Sequence, residues 1–348
     1  MAHPKNEKRD IELLSGQRLM VGFEGTAFNQ ELKRLIGDIK VGGIVLFAIN
    51  IESASQVKRL CMDCQEYARY CNLPPLFIAV DQEGGVVARL KPPDFTKFPG
   101  NPHIRDTKAA EEFAQVTARE LRGVNINMNF APVMDCIPSH GTYDALDGPV
   151  QNFESIMAQR AFPGTPAQVG ELGAKVIEIL QKNGIMAVAK HFPGIGRTTR
   201  DSHMELPVLD APPELLDSSD MVPFRASVKA GVSGIMLSHI LYPGLDPEWP
   251  ASLSPSIART LLRESMGFQG LTITDDLDMK AIQCDIGTSV RQILAAEVDI
   301  ALICHKGPDI ETAVETIKEI LSSDEDLFRK GHASWQRIQS LKHASIML

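Results

Sequence analysis

No stretch of the sequence approaches the roughly 18 consecutive apolar residues that a membrane-spanning helix needs. The N-terminal MAHPKNEKRD is polar, with neither an apolar core region nor a small-residue cleavage site. Neither a membrane partner nor a secretory leader is expected, and the chain reads as cytoplasmic. Basic residues are in the minority, 35 Lys and Arg against 44 Asp and Glu, for a net charge of −9. That balance opposes any partner held by phosphate neutralisation, so no nucleic acid is expected. The six cysteines, at 61, 64, 71, 136, 284 and 304, are too few and too irregular for a disulfide framework in 348 residues. Only Cys61-Met62-Asp63-Cys64 has the spacing of a redox or metal half-site. It falls inside a helix-like pattern from Ser53 to Tyr70, without the strand-to-helix entry of a redox motif, which favours a structural role. Aromatic residues make up only 6% of a chain that is 44% hydrophobic and 23% charged. This is soluble globular composition, with a core to be built from Val, Ile, Leu, Ala and Met.

Apolar, β-branched runs of four to eight residues recur eight times: Leu19 to Phe23, Gly43 to Phe47, Leu76 to Val80, Ile126 to Val133, Ile185 to Val188, Gly234 to Ser238, Leu271 to Thr274 and Ile300 to Cys304. Helical spacing fills most intervals, over Ser53 to Tyr70, Thr107 to Arg122, Pro166 to Lys182, Pro213 to Ala230, Ser254 to Ser265 and a C-terminal pair from Asp309 to Lys342. Ser53 and the Ser254-Pro255 pair are start signals. Strand and helix in eightfold alternation is the pattern of a (β/α)8 barrel, with a doubly wound open sheet as the alternative. Chain length and the lack of a linker favour one barrel domain over residues 1–348, with a core from about 12 to 342. The connection from Asp135 to Gln159, holding Pro, Gly, Ser, His and Tyr, reads as a functional loop over one face.

Polar residues follow the apolar runs: Asp81-Gln82-Glu83-Gly84-Gly85, Asp135, Lys190-His191, Ser238-His239 and Asp275-Asp276. In a barrel all such strand ends open at one mouth, where catalysis is placed. Side chains alternate along an extended segment, so one of Asp275 and Asp276 should aim into the mouth while the other bonds the loop backbone. In Asp201-Ser202-His203 a carboxylate two residues before an imidazole suits general acid/base work, although a solvated loop with an N-cap aspartate accounts for it equally. Lys190, Arg197 and Arg200 nearby point to an anionic or hydroxyl-rich ligand. Gly194-Ile195-Gly196 after a strand has the start of a phosphate cradle, but Thr199 stands at the third glycine's place and no Walker-type lysine follows. His191, His203 and His239 could converge on zinc, although their spacing does not demand it.

AVDQEGG (79–85), NFAPVMD (129–135), KHFPGIGRTTRDSHMELP (190–207), PFRASVKAGVSGIMLSHILYP (223–243), PASLSP (250–255) and GLTITDDLDM (270–279) together resemble the glycoside hydrolase family 3 β-N-acetylhexosaminidases of the NagZ type. The matches run in order over nearly the whole chain. The resemblance implies a single (β/α)8 barrel and retaining removal of non-reducing β-linked N-acetylglucosamine. It makes Asp275 the nucleophile, His203 the acid/base and Asp201 the residue that orients His203. It assigns the sugar to Asp81, Arg89, Arg160, Lys190 and His191. It implies a small carbohydrate substrate, N-acetylglucosaminyl-1,6-anhydro-N-acetylmuramic acid and its peptides in cell-wall recycling, with no metal and no organic cofactor.

Retaining hydrolysis needs a nucleophile on one face of the anomeric carbon and a proton donor near the leaving oxygen. An imidazole with an ordinary pKa of about 6.5, raised by a partner carboxylate, supplies the second. Three departures from the family pattern stand out. Ile195 replaces the second histidine of KHFPGHG, Val86 replaces the arginine after the double glycine, and Arg160-Ala161-Phe162-Pro163-Gly164-Thr165-Pro166 replaces RSFG-x-DP. Two other readings share these letters. One is a phosphorylase, since a histidine acid/base does not repel an incoming phosphate as a carboxylate would. The other is a non-catalytic sugar-binding homologue.

Overall fold

The computed structural model describes residues 11–138, 155–200, 202, 204–305 and 309–346. Its eight parallel strands close into a barrel in sequence order, each paired with its chain neighbours and the last with the first. They are β1 (Leu19–Val21), β2 (Gly43–Leu46), β3 (Phe77–Val80), β4 (Met128–Asn129), β5 (Met186–Phe192), β6 (Gly234–Leu237), β7 (Leu271–Asp276) and β8 (Ile300–Ile303). All eight apolar runs are strands, and the open-sheet alternative is excluded by the pairing of β1 with β8.

Two-residue periodicity divides each strand between two cores. Met20, Phe77, Ala79, Met186, Val188 and Ile273 point inward and pack together, while Leu19, Val21, Ile78, Val80 and Ala187 face the helices. Gly43 sits on the inward side where a Cβ would lie 2.5 Å from the Phe77 carbonyl oxygen, so the small residue makes room for a large one across the ladder.

The helices outside are α1 (Gln30–Lys33, continuing in wider turns over Arg34–Ile39), α2 (Ala54–Tyr70), α3 (Thr107–Gly123), α4 (Pro166–Lys182), α5 (Val222–Lys229), α6 (Ser256–Ser265), α7 (Ile286–Ala295), α8 (Asp309–Ser323) and α9 (Glu325–Ser345). Their starts follow the capping residues. Ser53 accepts from the Gln56 amide, Asp106 from Ala109, and Thr165 with Gln168 closes a capping box around Pro166. Ser254 accepts from Ile257 at 3.0 Å, with Pro255 leading into α6. Cys61 and Cys64 lie on the buried face of α2, and burial pushes the Cys61 thiol up to about 12, so the pair is unreactive packing.

The structure departs from the sequence reading in four places. Helices α1 and α7 were not among the expected segments. The helix expected over Pro213 to Ala230 is interrupted at Met221, two residues ahead of Pro223, which has no N–H to continue the bonds of the preceding turns. β4 keeps regular pairing for only two residues because Pro132 offers no N–H. Its partnership with β5 continues less regularly, with Lys190 donating to the Pro132 carbonyl at 3.1 Å and Met134 to the Lys190 carbonyl at 2.7 Å. Finally, β5 and β7 run further than expected, so Lys190, His191, Asp275 and Asp276 belong to the strands themselves. Of the excursion expected over Asp135 to Gln159, residues 139–154 lie outside the described residues.

The opposite end of the barrel is closed by charge. Asp299, fully buried just before β8, accepts from Arg337 at 3.0 Å, from the Thr272 amide at 2.9 Å and from Arg263. No helix among the described residues is long and apolar enough to cross a membrane.

Candidate active site

At the C-terminal ends of the strands, side chains far apart in sequence meet. Asp81 follows β3 directly, and Lys190 on β5 donates to its Oδ1 at 2.7 Å. Arg89, on a short hairpin formed by Gln82–Gly84 and Val87–Ala88, donates to Asp81 Oδ2 at 3.3 Å and lies over the Phe47 ring. Burial alone would raise the Asp81 carboxyl, but Lys190 and Arg89 outweigh it and hold the group down at about 2.

Glu83 ties the next pair together. Arg160 grips it through two parallel bonds, Nε to Oε2 at 3.0 Å and Nη2 to Oε1 at 2.8 Å, and Lys190 Nζ stands 2.6 Å from the same Oε1. Lys190 is 2% exposed, so its ammonium is carried by two carboxylates and not by water. The carboxylates and Arg160 therefore hold each other ionised against burial, and the Lys190 pKa is raised above its ordinary value.

His191 sits beside this cluster, its ring between a carboxylate and a guanidinium. Nδ1 lies 2.8 Å from Asp135 Oδ2, and Nε2 lies 3.4 Å from Arg160 Nη2. Because Asp135 Oδ2 is a carboxylate oxygen, Nδ1 carries the proton and Nε2 accepts. Asp135 Oδ1 accepts from the Ile195 amide at 2.8 Å, which ties the strand end to the Gly-Ile-Gly turn. Gly196 is needed there for close approach: a Cβ would fall 1.9 Å from the Cys136 carbonyl oxygen. Gly194, at φ +128°, passes against Asp220, and its carbonyl accepts from the Tyr242 hydroxyl at 2.9 Å. The Ile195 side chain is buried in the apolar core.

Asp275 and Asp276 divide as strand alternation requires. The Asp276 amide donates to Asp275 Oδ1 at 2.9 Å. The Asp276 carboxylate bonds loop backbone, its Oδ1 accepting from Cys304 at 3.0 Å and Asp278 at 3.2 Å. Burial would raise the Asp275 carboxyl, yet His239, His191, the Asp276 amide and Lys190 keep it below the usual carboxylate range. Lys190 supplies the standing charge among these, since burial drives His239 toward its neutral form. Burial pushes Asp276 the other way, up to about 6.

The cluster therefore brings together Asp81, Arg89, Arg160, Lys190 and His191, with Asp275 electrostatically coupled to Lys190 and His191. Asp201 and His203 lie outside the described residues. Ser202 between them accepts from the Ala281 amide at 3.1 Å, tying its backbone to the loop that follows β7. Arg197 and Arg200 do not join Lys190 as ligand groups. Arg197 is spent on Asp220 at 2.8 Å and Ser219 at 2.9 Å, and Arg200 pairs with Glu205 at the surface.

Glu83 and Asp135 are site residues to which the sequence reading assigned no role, and His239 is one it considered only as a zinc ligand, although each follows a barrel strand, which was the available signal. His239 has Nδ1 at 2.7 Å from Ser252 Oγ and Nε2 at 2.9 Å from the Asp276 carbonyl oxygen. His239 therefore has no ring nitrogen left for the zinc arrangement considered above, and His191 keeps only Nε2, which faces the Arg160 guanidinium at 3.4 Å. Among the described residues, Asp276, Asp278 and exposed His305 form the one grouping of three or more such side chains whose ligand-type atoms lie within 4.8 Å of one another. Two of its carboxylate oxygens are already engaged by backbone amides, Asp276 Oδ1 as above and Asp278 Oδ2 by the His305 amide at 2.7 Å.

Residues 11–341 match the glycosyl hydrolase family 3 N terminal domain. A β-hexosaminidase of Thioalkalivibrio sulfidiphilus is 34% identical over 298 residues, covering 82% of this chain and 80% of that one. A glycoside hydrolase family 3 β-N-acetylglucosaminidase from Paenibacillus superposes with a TM-score of 0.87 at 33% identity. That match covers 95% of this chain, which spans 62% of the Paenibacillus chain. NagZ from Neisseria gonorrhoeae, solved in complex with N-trifluoroacetyl-D-glucosamine, superposes at 0.75 with 26% identity over 95% of this chain and 94% of its own.

Proposed function

We propose, from the premise that this chain belongs to glycosyl hydrolase family 3 and is a glycoside hydrolase of the β-hexosaminidase type, that it releases non-reducing terminal β-linked N-acetylglucosamine with retention. One barrel unit, with its core over about 12–342, carries the reaction. The observation that supports this most is the state of Asp275. It is a carboxylate at a strand end, kept ionised despite burial, in the mouth that also holds Lys190 and His191.

In this reading Asp81, Arg89, Arg160, Lys190 and His191 bind the hydroxyls and acetamido group of the sugar. Charged donors and acceptors in fixed geometry suit a polyol, and the mutual ion pairs leave the cluster close to neutral, so the sugar need carry no charge. Asp275 attacks the anomeric carbon and the bond to the leaving oxygen breaks, while His203, oriented by Asp201, donates a proton to that oxygen. The glycosyl ester on Asp275 is then cleaved by water, whose proton returns to His203. The substrates we assign are peptidoglycan-derived fragments, N-acetylglucosaminyl-1,6-anhydro-N-acetylmuramic acid and its peptides, met in the cytoplasm.

The test is covalent trapping with an activated 5-fluoro N-acetylglucosaminide, with the labelled residue located by mass spectrometry. A label on Asp275, and loss of turnover in Asp275→Ala, are expected; a label elsewhere or an active variant overturns the mechanism. Product analysis in phosphate buffer separates free N-acetylglucosamine from the sugar 1-phosphate that a phosphorylase would release.

A further inference from the structure

His239 is 1% exposed and lies immediately past the end of β6. Its two hydrogen bonds face in different directions. On one side stands Ser252, in a short turn (Ala251–Leu253) that folds back onto β6 through Ser252 donating to the Ser238 carbonyl at 3.0 Å and Ala251 to the Ile240 carbonyl at 2.9 Å. On the other side is the Asp276 carbonyl oxygen at 2.9 Å. A carbonyl only accepts, so Nε2 carries a proton. Burial lowers the His239 pKa, which leaves the neutral ring with Nδ1 as acceptor for the Ser252 hydroxyl. The Asp276 carbonyl thus selects the tautomer, and the Ser252 hydroxyl, donating to Nδ1, fixes the orientation of the ring.

Asp276 is held from three strand ends. Its carbonyl is bonded by His239 of β6, its carboxylate by the amide of Cys304 just past β8, and its own amide reaches back to Asp275 Oδ1 on β7. The last bond occupies one oxygen of Asp275, so Oδ2 is the oxygen offered to the anomeric carbon. A rotation of residue 276 would turn its amide away and let the Asp275 carboxylate swing.

We propose that His239 is a positioning residue for the nucleophile: through the Ser252–His239–Asp276 chain it fixes the amide that aims Asp275. The inference rests on Asp275 being the nucleophile. It concerns the rate of forming the covalent intermediate and leaves sugar binding aside, because the sugar-binding groups are anchored separately by Asp81, Glu83 and Asp135.

Gln and Asn separate the role from simple packing. A glutamine at 239 places its amide nitrogen near the Nε2 position and keeps the donor to the Asp276 carbonyl, whereas asparagine reaches only the Nδ1 position. The experiment measures labelling of Asp275 by the 5-fluoro sugar in the wild type, His239→Gln, His239→Asn and Ser252→Ala, normalised to the labelled fraction at completion so that unfolded protein does not count. His239→Gln should label within a few-fold of wild type. His239→Asn should label about 100-fold more slowly, the size of effect expected for a misplaced reacting group, with unchanged affinity for N-acetylglucosamine. Ser252→Ala should fall between them. Equal rates in His239→Asn and wild type overturn the inference, as does a parallel loss of rate and sugar affinity in His239→Gln and His239→Asn alike. A wild type labelled elsewhere than Asp275 removes the premise and the inference together, whereas unchanged labelling of Asp275 in His239→Asn removes the inference alone.

Discussion

Asp135 Oδ2 lies 2.8 Å from His191 Nδ1, and the other oxygen of the same carboxylate takes the Ile195 amide. One fully buried aspartate therefore sets both the tautomer of His191, for which sugar binding is proposed, and the path of the loop that leads toward residues 201–203. With Nδ1 protonated, Nε2 is free to accept from Arg160. Replacing Asp135 by Asn keeps an acceptor for Ile195 but turns an NH2 toward Nδ1, which must then accept, and the ring proton moves to Nε2 against the Arg160 donor. Asp135→Asn should raise KM about 10- to 100-fold, the worth of one charge-assisted hydrogen bond, with a smaller change in kcat. Steady-state kinetics check the first, and imidazole nitrogen shifts by NMR check the tautomer; an unchanged KM would show that His191 does not need this proton arrangement.

What was legible beforehand follows from what carries a local signal. Eight apolar runs sufficed for the barrel because a strand buried on both faces must be apolar throughout, whatever surrounds it. Helix α1 escaped because its first turn carries Gln30, Glu31 and Lys33 and the rest has wider spacing, while α7 is interrupted by polar positions within only ten residues. Asp275 and Lys190 could be placed at the mouth from strand ends alone. Glu83, Asp135 and His239 stood at equivalent positions, but nothing local distinguishes a residue that touches a ligand from one that holds its neighbour. Their roles depend on contacts with Arg160, His191 and Asp276, which lie 77, 56 and 37 residues away. Gly194-Ile195-Gly196 had the start of a phosphate cradle in the sequence, and the packing of Gly196 against Cys136 shows that close approach within the chain is the constraint.

The opposite mouth of the barrel should respond to mutation in stability and not in chemistry. Asp299 is the shared counter-charge for Arg263 and Arg337, and Arg18 is close enough to feel it; burial would raise its carboxyl, and the two arginines pull it below the ordinary range. In Asp299→Asn the guanidiniums remain buried and lose that charge, a change of about 3–5 kcal/mol for breaking a buried network at one partner. A fall in Tm on the order of 5–10 °C is expected, with kcat of the folded fraction unchanged. A variant that keeps its Tm would mean that water reaches these arginines.

At the active-site mouth, charge links stability to pH. The folded Asp81 carboxyl is held at about 2 by Lys190 and Arg89, whereas an unfolded chain has it near 3.9. A depressed carboxylate contributes stability that is present above the unfolded value and is lost as pH falls through the folded one, so the window runs from about pH 4 down to about 2. The Asp81 contribution is about 2–3 kcal/mol at one pKa unit per 1.36 kcal/mol, and Glu83, shifted in the same direction, adds to it. Urea unfolding at pH 5, 4, 3 and 2.5 should show stability declining over that window in the wild type. Asp81→Asn should start lower, because Lys190 keeps only Glu83 as its close partner, and should decline less steeply as the acid is added. Parallel curves for the two proteins would place the acid-sensitive group outside the Asp81–Lys190 pair, and would leave the Arg263–Asp299 network, whose carboxylate is depressed in the same direction, as the group to examine next.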